Sequence, residues 1–326
     1  MAANGNSGGV YVACVPHSPL VHNEQERKHE LPGFWDAYDA RVAEMDAFNP
    51  DLVINFGADH YSNIHLNMMP SFLIGFNAQA IDDRGGIPGK LDVPTDLAVD
   101  LAHHLVDSGI DIATSYDMTV DHGFSGVMHF FFHGKLDSRP SIPIYINCLA
   151  EPRPTFARCR MLGEAVGEWA AKTGKRVAFL GSGGLSHSTG SMFPQFHDAP
   201  SDDVRRFIVS GGSEDGLTDA KWHSDISAIC DTASDFLRSG QRLPSVICEW
   251  DQMFLDTLAA GDLKVFDGWK DAEVNAGGGG GAAEIRLWIA AVAAAQKMGS
   301  KPVTVDYYSH DTTFGVGSGI VHSLAA

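Results

Sequence analysis

The sequence predicts an α/β fold: a single domain with a central, mostly buried β-sheet flanked by helices. Short apolar runs rich in β-branched residues alternate with longer stretches at helical spacing, the pattern of strands buried between helices. No internal repeat at a fixed period and no convincing linker interrupts that alternation. Residues 10–326 therefore read as one domain. Residues 1–9, small and polar, read as a flexible tail.

Taken in order, the first strand is Val10–Val15, and Trp35–Phe48 follows at helical spacing. Leu52–Phe56 and Phe72–Ile74 are the next apolar runs, then a helical stretch over Leu97–Val106. Ile142–Ile146 is a strand, Phe156–Ala171 a helix and Val177–Leu180 another strand. Helices are expected over Ile226–Leu237 and Gln252–Leu258. Five consecutive glycines, Gly277–Gly281, read as a flexible loop. Beyond them Ala282–Lys297 is helical and apolar at nearly every position, so it should be buried.

Composition narrows the function classes. With 44% hydrophobic and 20% charged residues, the 326-residue chain has the balance of a globular protein. A net charge of −18 with no basic stripe argues against nucleic-acid binding. No apolar stretch approaches the ~18 residues of a membrane span. The five cysteines are scattered without a CxxC pair, which fits reduced thiols in a cytoplasm. Met1–Gly9 shows no basic segment followed by an apolar run, so no secretory signal is expected there.

Among fifteen histidines, two follow predicted strands directly: His17 in Pro16-His17-Ser18-Pro19 and His60 in Gly57-Ala58-Asp59-His60-Tyr61. Ligands of open α/β sheets bind at the carboxyl ends of strands, where two imidazoles can converge on one metal. A hydrogen-bonded loop histidine explains either one alone. Two at equivalent topological positions fit that explanation less well. Glu284 opens the buried helix after the glycines, where a buried carboxylate needs a partner or a metal. The helix dipole also tolerates an acid there, and spacing leaves Glu249 and Glu273 equally eligible. Two histidines and a carboxylate form the facial set of non-haem iron(II) oxygenases, with positions left for a chelating catechol and dioxygen.

Two further histidines sit in distinctive loops, His122 in Thr119-Val120-Asp121-His122-Gly123-Phe124 and His187 in Gly181-Ser182-Gly183-Gly184-Leu185-Ser186-His187. Imidazoles titrate where acid–base catalysis needs them. A helix-capping turn at Asp121-His122 and a phosphate-cradling glycine loop at Gly181–Gly184 are the competing readings. Rival catalytic motifs fail. Ser182 has Leu180 two residues before it, not glycine, so no nucleophile elbow is present, and Ser186 lacks the glycine two residues after it. Lys90 lacks the phosphate-loop pattern, Gly315–Ile320 lacks the last glycine of a dinucleotide site, and no HExxH occurs.

Six segments together resemble the class III extradiol ring-cleavage dioxygenases, the superfamily of the protocatechuate 4,5-dioxygenase β subunit. They are PHSPL at 16–20, DLVINFGADHY at 51–61, VDHGF at 120–124, RMLGEAVG at 160–167, RVAFLGSGGLSH at 176–187 and AEIRLWIAA at 283–291. The resemblance implies that 10–326 is a catalytic domain that opens a catechol ring with O2. It implies that His17, His60 and Glu284 hold Fe(2+), and it selects Glu284 over its rivals. It further implies that His122 and His187 are the acid–base pair, provisionally His187 the base and His122 the acid. Homo-oligomers are usual in this superfamily, and some members add a small second subunit. Residues 188–235 match only loosely, and the glycine run replaces a more ordinary loop, so the substrate pocket is where this chain departs.

Overall fold

The structure, a computed structural model, describes residues 8–23, 31–190, 192–310 and 314–325. The chain begins with β1 (Val10–Val15), α1 (Pro19–Asn23), α2 (Pro32–Phe48), β2 (Leu52–Gly57) and β3 (Phe72–Gly75). Next come β4 (Ala78–Ala80), β5 (Gly89–Lys90), α3 (Thr95–Asp107), β6 (Ala113–Ser115), β7 (Met118–Val120) and α4 (His122–Phe131). The middle of the chain supplies β8 (Ser141–Ile146), α5 (Phe156–Thr173) and β9 (Val177–Ser182). It ends with α6 (Asp202–Ser210), α7 (Asp219–Arg238), α8 (Cys248–Ala260), α9 (Asp271–Gly278), α10 (Ile285–Lys297), β10 (Thr304–Ser309) and β11 (Ser318–Ala325).

Eight strands form the main sheet in the order β10-β11-β1-β9-β2-β8-β3-β6. The pairs β1–β9, β9–β2 and β2–β8 are parallel, so four neighbouring strands end at the same edge. Every residue of these four strands is buried, as expected of parallel strands covered on both faces. Alternation splits β1 between two cores. Val12 and Cys14 face the layer of α3, α5, α8 and α10, and Tyr11, Ala13 and Val15 face that of α2 and α4. A third apolar cluster joins α6 and α7 to Leu20, Tyr61 and Phe193.

The predicted strands and helices are present, most of them longer by a few residues. α7 starts at Asp219 rather than Ile226, because Thr218 caps it by accepting from the Lys221 amide. The short strands β4 to β7 and the carboxyl-terminal hairpin of β10 and β11 were not expected. β4, β5 and β7 form a separate three-stranded sheet of two- and three-residue strands, too brief for a periodic pattern. β10 is mostly half-buried at the sheet edge and has no apolar run. Residues 1–7 lie outside the described residues, and the Gly9 carbonyl already accepts from the Val177 amide at 3.1 Å.

The glycine run is a second correction. It is the end of α9 followed by a tight 3-10 turn over Gly280–Glu284, and α10 starts only at Ile285. The turn packs on His187: the Gly278 carbonyl accepts from the His187 amide, and the His187 carbonyl accepts from the Gly281 amide. A Cβ on Gly281 would lie 2.1 Å from His187 Nε2. These glycines make room for an imidazole, so close approach rather than flexibility explains them.

Candidate active site

The parallel strands deliver side chains to one edge. His17 lies two residues beyond β1, His60 three beyond β2, and the loop after β9 runs from Gly183 to His187. His122 is the first residue of α4, and Glu284 closes the turn before α10. Helix α10 is fixed against α5 and beneath β9, β1 and β2, so its amino-terminal end meets the same edge. All five side chains are buried and line one cavity of about 240 Å³. The expected convergence of these residues is therefore present as geometry.

Glu284 sits between two histidines. Its Oε1 is 3.1 Å from His17 Nε2 and 3.5 Å from His60 Nε2, and its Oε2 accepts from the Gly184 amide at 2.7 Å. His187 Nε2 lies 4.0 Å from Oε2. His122 stacks on His60 with ring centroids 4.3 Å apart. One ring nitrogen from each of His17, His60 and His122 lies within 4.8 Å of the others, so these three could also share a cation.

The outer ring nitrogens are all engaged. His60 Nδ1 is 3.1 Å from Asp121 Oδ2, His122 Nδ1 is 2.5 Å from Asp83 Oδ2, and His187 Nδ1 is 2.9 Å from the Leu185 carbonyl. Carboxylates and carbonyls only accept, so Nδ1 donates in these three rings, which leaves Nε2 as the nitrogen to meet a metal, a substrate or a second proton. His17 Nδ1 pairs with Ser182 Oγ at 2.8 Å. Nε2 lone pairs held in place by Nδ1 partners are how imidazoles are presented to metals. Burial disfavours the cation of His17 and lowers its pKa, although Glu284 opposes this. Burial works against the charged form of His60 too, but Asp121 and Glu284 outweigh it and hold that pKa well above the usual range. Glu284, which burial would push up, is held well below the carboxylate range by His17 and His60.

The capping reading of Asp121-His122 describes the structure. Asp121 does cap α4, accepting from the Gly123 amide at 2.8 Å. Its other oxygen takes the His60 amide at 2.8 Å as well as His60 Nδ1, so the cap and the histidine anchor are one residue. The phosphate-loop reading of Gly181–Gly184 is not supported, since Gly181 and Ser182 belong to β9 and the Gly184 amide is taken by Glu284. Asp83, Ser182 and Asp251 were missed. Asp251 is fully buried and accepts from the amide and hydroxyl of Ser186, next to His187, and from Tyr308. No local pattern marks Asp83 or Asp251; only the VDHGF segment gave a signal, for Asp121.

A divalent cation fits this donor set: buried imidazole Nε2 atoms of His17 and His60 converging on one carboxylate oxygen of Glu284, with a ring nitrogen of His122 close by. Comparison with known proteins points the same way. Residues 11–321 match the family model described as the catalytic LigB subunit of aromatic ring-opening dioxygenase. The chain is 37% identical over 317 residues to a 2,3-dihydroxyphenylpropionate/2,3-dihydroxicinnamic acid 1,2-dioxygenase of Rhodococcus sp, covering 97% of this chain and 98% of that one. Proteins of the same description from Pseudomonas putida and Paraburkholderia xenovorans are each 36% identical. The alignments cover 97% of this chain and 99% of the first relative, and 92% of both chains for the second.

Proposed function

The chain belongs to the family of the catalytic LigB subunit of aromatic ring-opening dioxygenases, and on that premise we propose that it cleaves a catechol with Fe(2+) and O2. Cleavage falls beside the two hydroxyls, not between them, and both oxygen atoms end in a ring-opened semialdehyde or keto-acid. The observation that carries this reading is the meeting of His17, His60, His122, His187 and Glu284 on one buried cavity.

In this reading His17, His60 and Glu284 hold the metal. Fe(2+), when bound, supplies chelation of the two catechol oxygens and an electron path from the ring to dioxygen. Ser182 and Asp121 orient the two ligand imidazoles through Nδ1, and the Gly184 amide orients Glu284. His187, whose Nδ1–H is tied to the Leu185 carbonyl, takes a catechol proton at Nε2. His122, backed by Asp83, returns a proton as the ring opens. Residues 10–326 form the catalytic domain, which works in the cytoplasm as a homo-oligomer. The relatives' named activity on 2,3-dihydroxyphenylpropionate supports a catechol with a side chain at the adjacent ring position.

An oxygen-electrode assay of anaerobically Fe(2+)-loaded protein against a panel of catechols tests this. One O2 consumed per catechol, with a yellow product, is expected. Turnover unchanged without oxygen would identify a hydrolase instead. The same donors suit zinc, so metal analysis of protein purified anaerobically distinguishes an iron oxygenase from a zinc relative.

A further inference from the structure

The cavity continues past the histidines into an apolar wall, part of which comes from residues 188–235, the region that matches the family pattern only loosely. Ile229 and Ala233 of α7, Leu243, Leu20, Phe314 and Val316 line it. Its polar members away from the metal-binding end are Ser188, Thr189 and Ser245, whose hydroxyls hydrogen-bond without neutralising a charge. Among the described residues no lysine or arginine lines it. Arg84 is turned elsewhere: its guanidinium donates to Ser227 Oγ at 3.3 Å and pairs with Asp231. Ser227 and Asp231 lie on the opposite flank of α7 from Ile229 and Ala233, roughly 160° around the helix at 3.6 residues per turn.

Resting on the ring-cleavage reading, we propose that the substituent this cavity takes is apolar and uncharged, an alkyl, alkenyl or aryl group, and that Ile229, Ala233 and Leu243 select it. A carboxylate-ended chain, such as the propionate named for the relatives, would bring its charge against apolar walls with no lysine or arginine among the described lining residues to meet it. An apolar chain instead removes its own surface and that of the wall from water. Single methylene differences in such pockets are worth ~10-fold or more in specificity.

The test is calorimetric binding of 3-propylcatechol and 3-(2-carboxyethyl)catechol to the Fe(2+)-loaded protein without oxygen, followed by oxygen uptake with each. Tighter binding of the propyl compound, by about 10-fold or more, is expected. Equal or tighter binding of the carboxylate, or no measurable binding of either, overturns the proposal. A propyl preference in binding with no oxygen uptake from either counts against ring cleavage alone and leaves the cavity assignment standing. Ala233→Arg, checked for folding by circular dichroism, should move the preference by about 10-fold or more toward the carboxylate. An unchanged ratio in the folded variant would remove α7 from the specificity wall.

Discussion

In the proposed reading five side chains carry the chemistry, and they divide by the atoms they touch. Glu284 Oε1 lies 3.1 Å from His17 Nε2 and 3.5 Å from His60 Nε2, so changing any of the three to Ala should abolish metal binding together with turnover. Stoichiometric metal in all three purified variants would contradict the ligand assignment. His122 tests it most sharply, because one of its ring nitrogens lies within 4.8 Å of those of His17 and His60. His122→Ala and His187→Ala should each retain metal while losing roughly 10²–10⁴-fold in kcat, the scale of acid–base groups. Metal loss from His122→Ala would make it a ligand. Asp83→Asn keeps the shape but exchanges a carboxylate acceptor for an amide beside His122 Nδ1. It should lower activity about 10–100-fold and shift the pH profile of kcat, with metal content unchanged.

Elements carry these residues, and their packing tolerances are measurable. α5 and α10 approach so closely that a Cβ on Gly163 would lie 2.1 Å from the Ala290 carbonyl oxygen, and one on Gly167 2.2 Å from that of Ala294. Intrinsic propensity favours Ala over Gly inside a helix by roughly 0.5–1 kcal/mol. Backbone oxygens cannot step aside, so overpacking of about 1–3 kcal/mol should win. Gly163→Ala is therefore expected to lower the urea midpoint despite the better helix former; a raised midpoint would mean that the helices separate freely. The start of α10 is also pinned by charge. Arg286, 1% exposed, donates to the carbonyls of Pro154 and Ala283 and pairs with Asp271, which also meets Arg153. Burial would raise the Asp271 carboxyl, but Arg286 and Arg153 hold it below the usual carboxylate range. A lowered folded pKa contributes stability that is present above the unfolded value, about 4, and is lost as pH falls through the lowered one. Asp271→Asn should thus be less stable than the native chain at pH 7, and the two should converge in acid. Denaturant unfolding at stepped pH reads the difference, and a gap that widens on acidification would refute the sign.

At the scale of the whole molecule, the fold gathers the buried carboxylates of Asp121 and Glu284, both held below the usual carboxylate range by neighbouring histidines, on one sheet edge. A bound cation should offset that concentration of negative charge and stabilise the native state by mass action, about 2.7 kcal/mol at a free concentration 100 times Kd. Chelation is expected to lower the thermal midpoint of native protein but not that of His60→Ala; equal shifts in both would place the metal elsewhere. No helix among the described residues is long and apolar enough to cross a membrane. The four central strands were legible because each is buried on both faces and reads as a nearly continuous apolar run. The hairpin of β10 and β11 was not, because a half-buried edge strand such as Thr304–Ser309 carries mixed residues without a run. His17 and His60 could be noticed because each follows a strand that the sequence announces. Local pattern and motif thus determined the α/β class, the main elements and which residues to suspect. Only tertiary structure decided that Glu284 reaches His17 across 267 residues, that Asp83 backs His122 and that the glycine run exists to admit His187. Burial periodicity is a property of neighbouring residues and is written locally. The convergence of side chains depends on strand order, register and helix contact, which arise when the chain closes on itself.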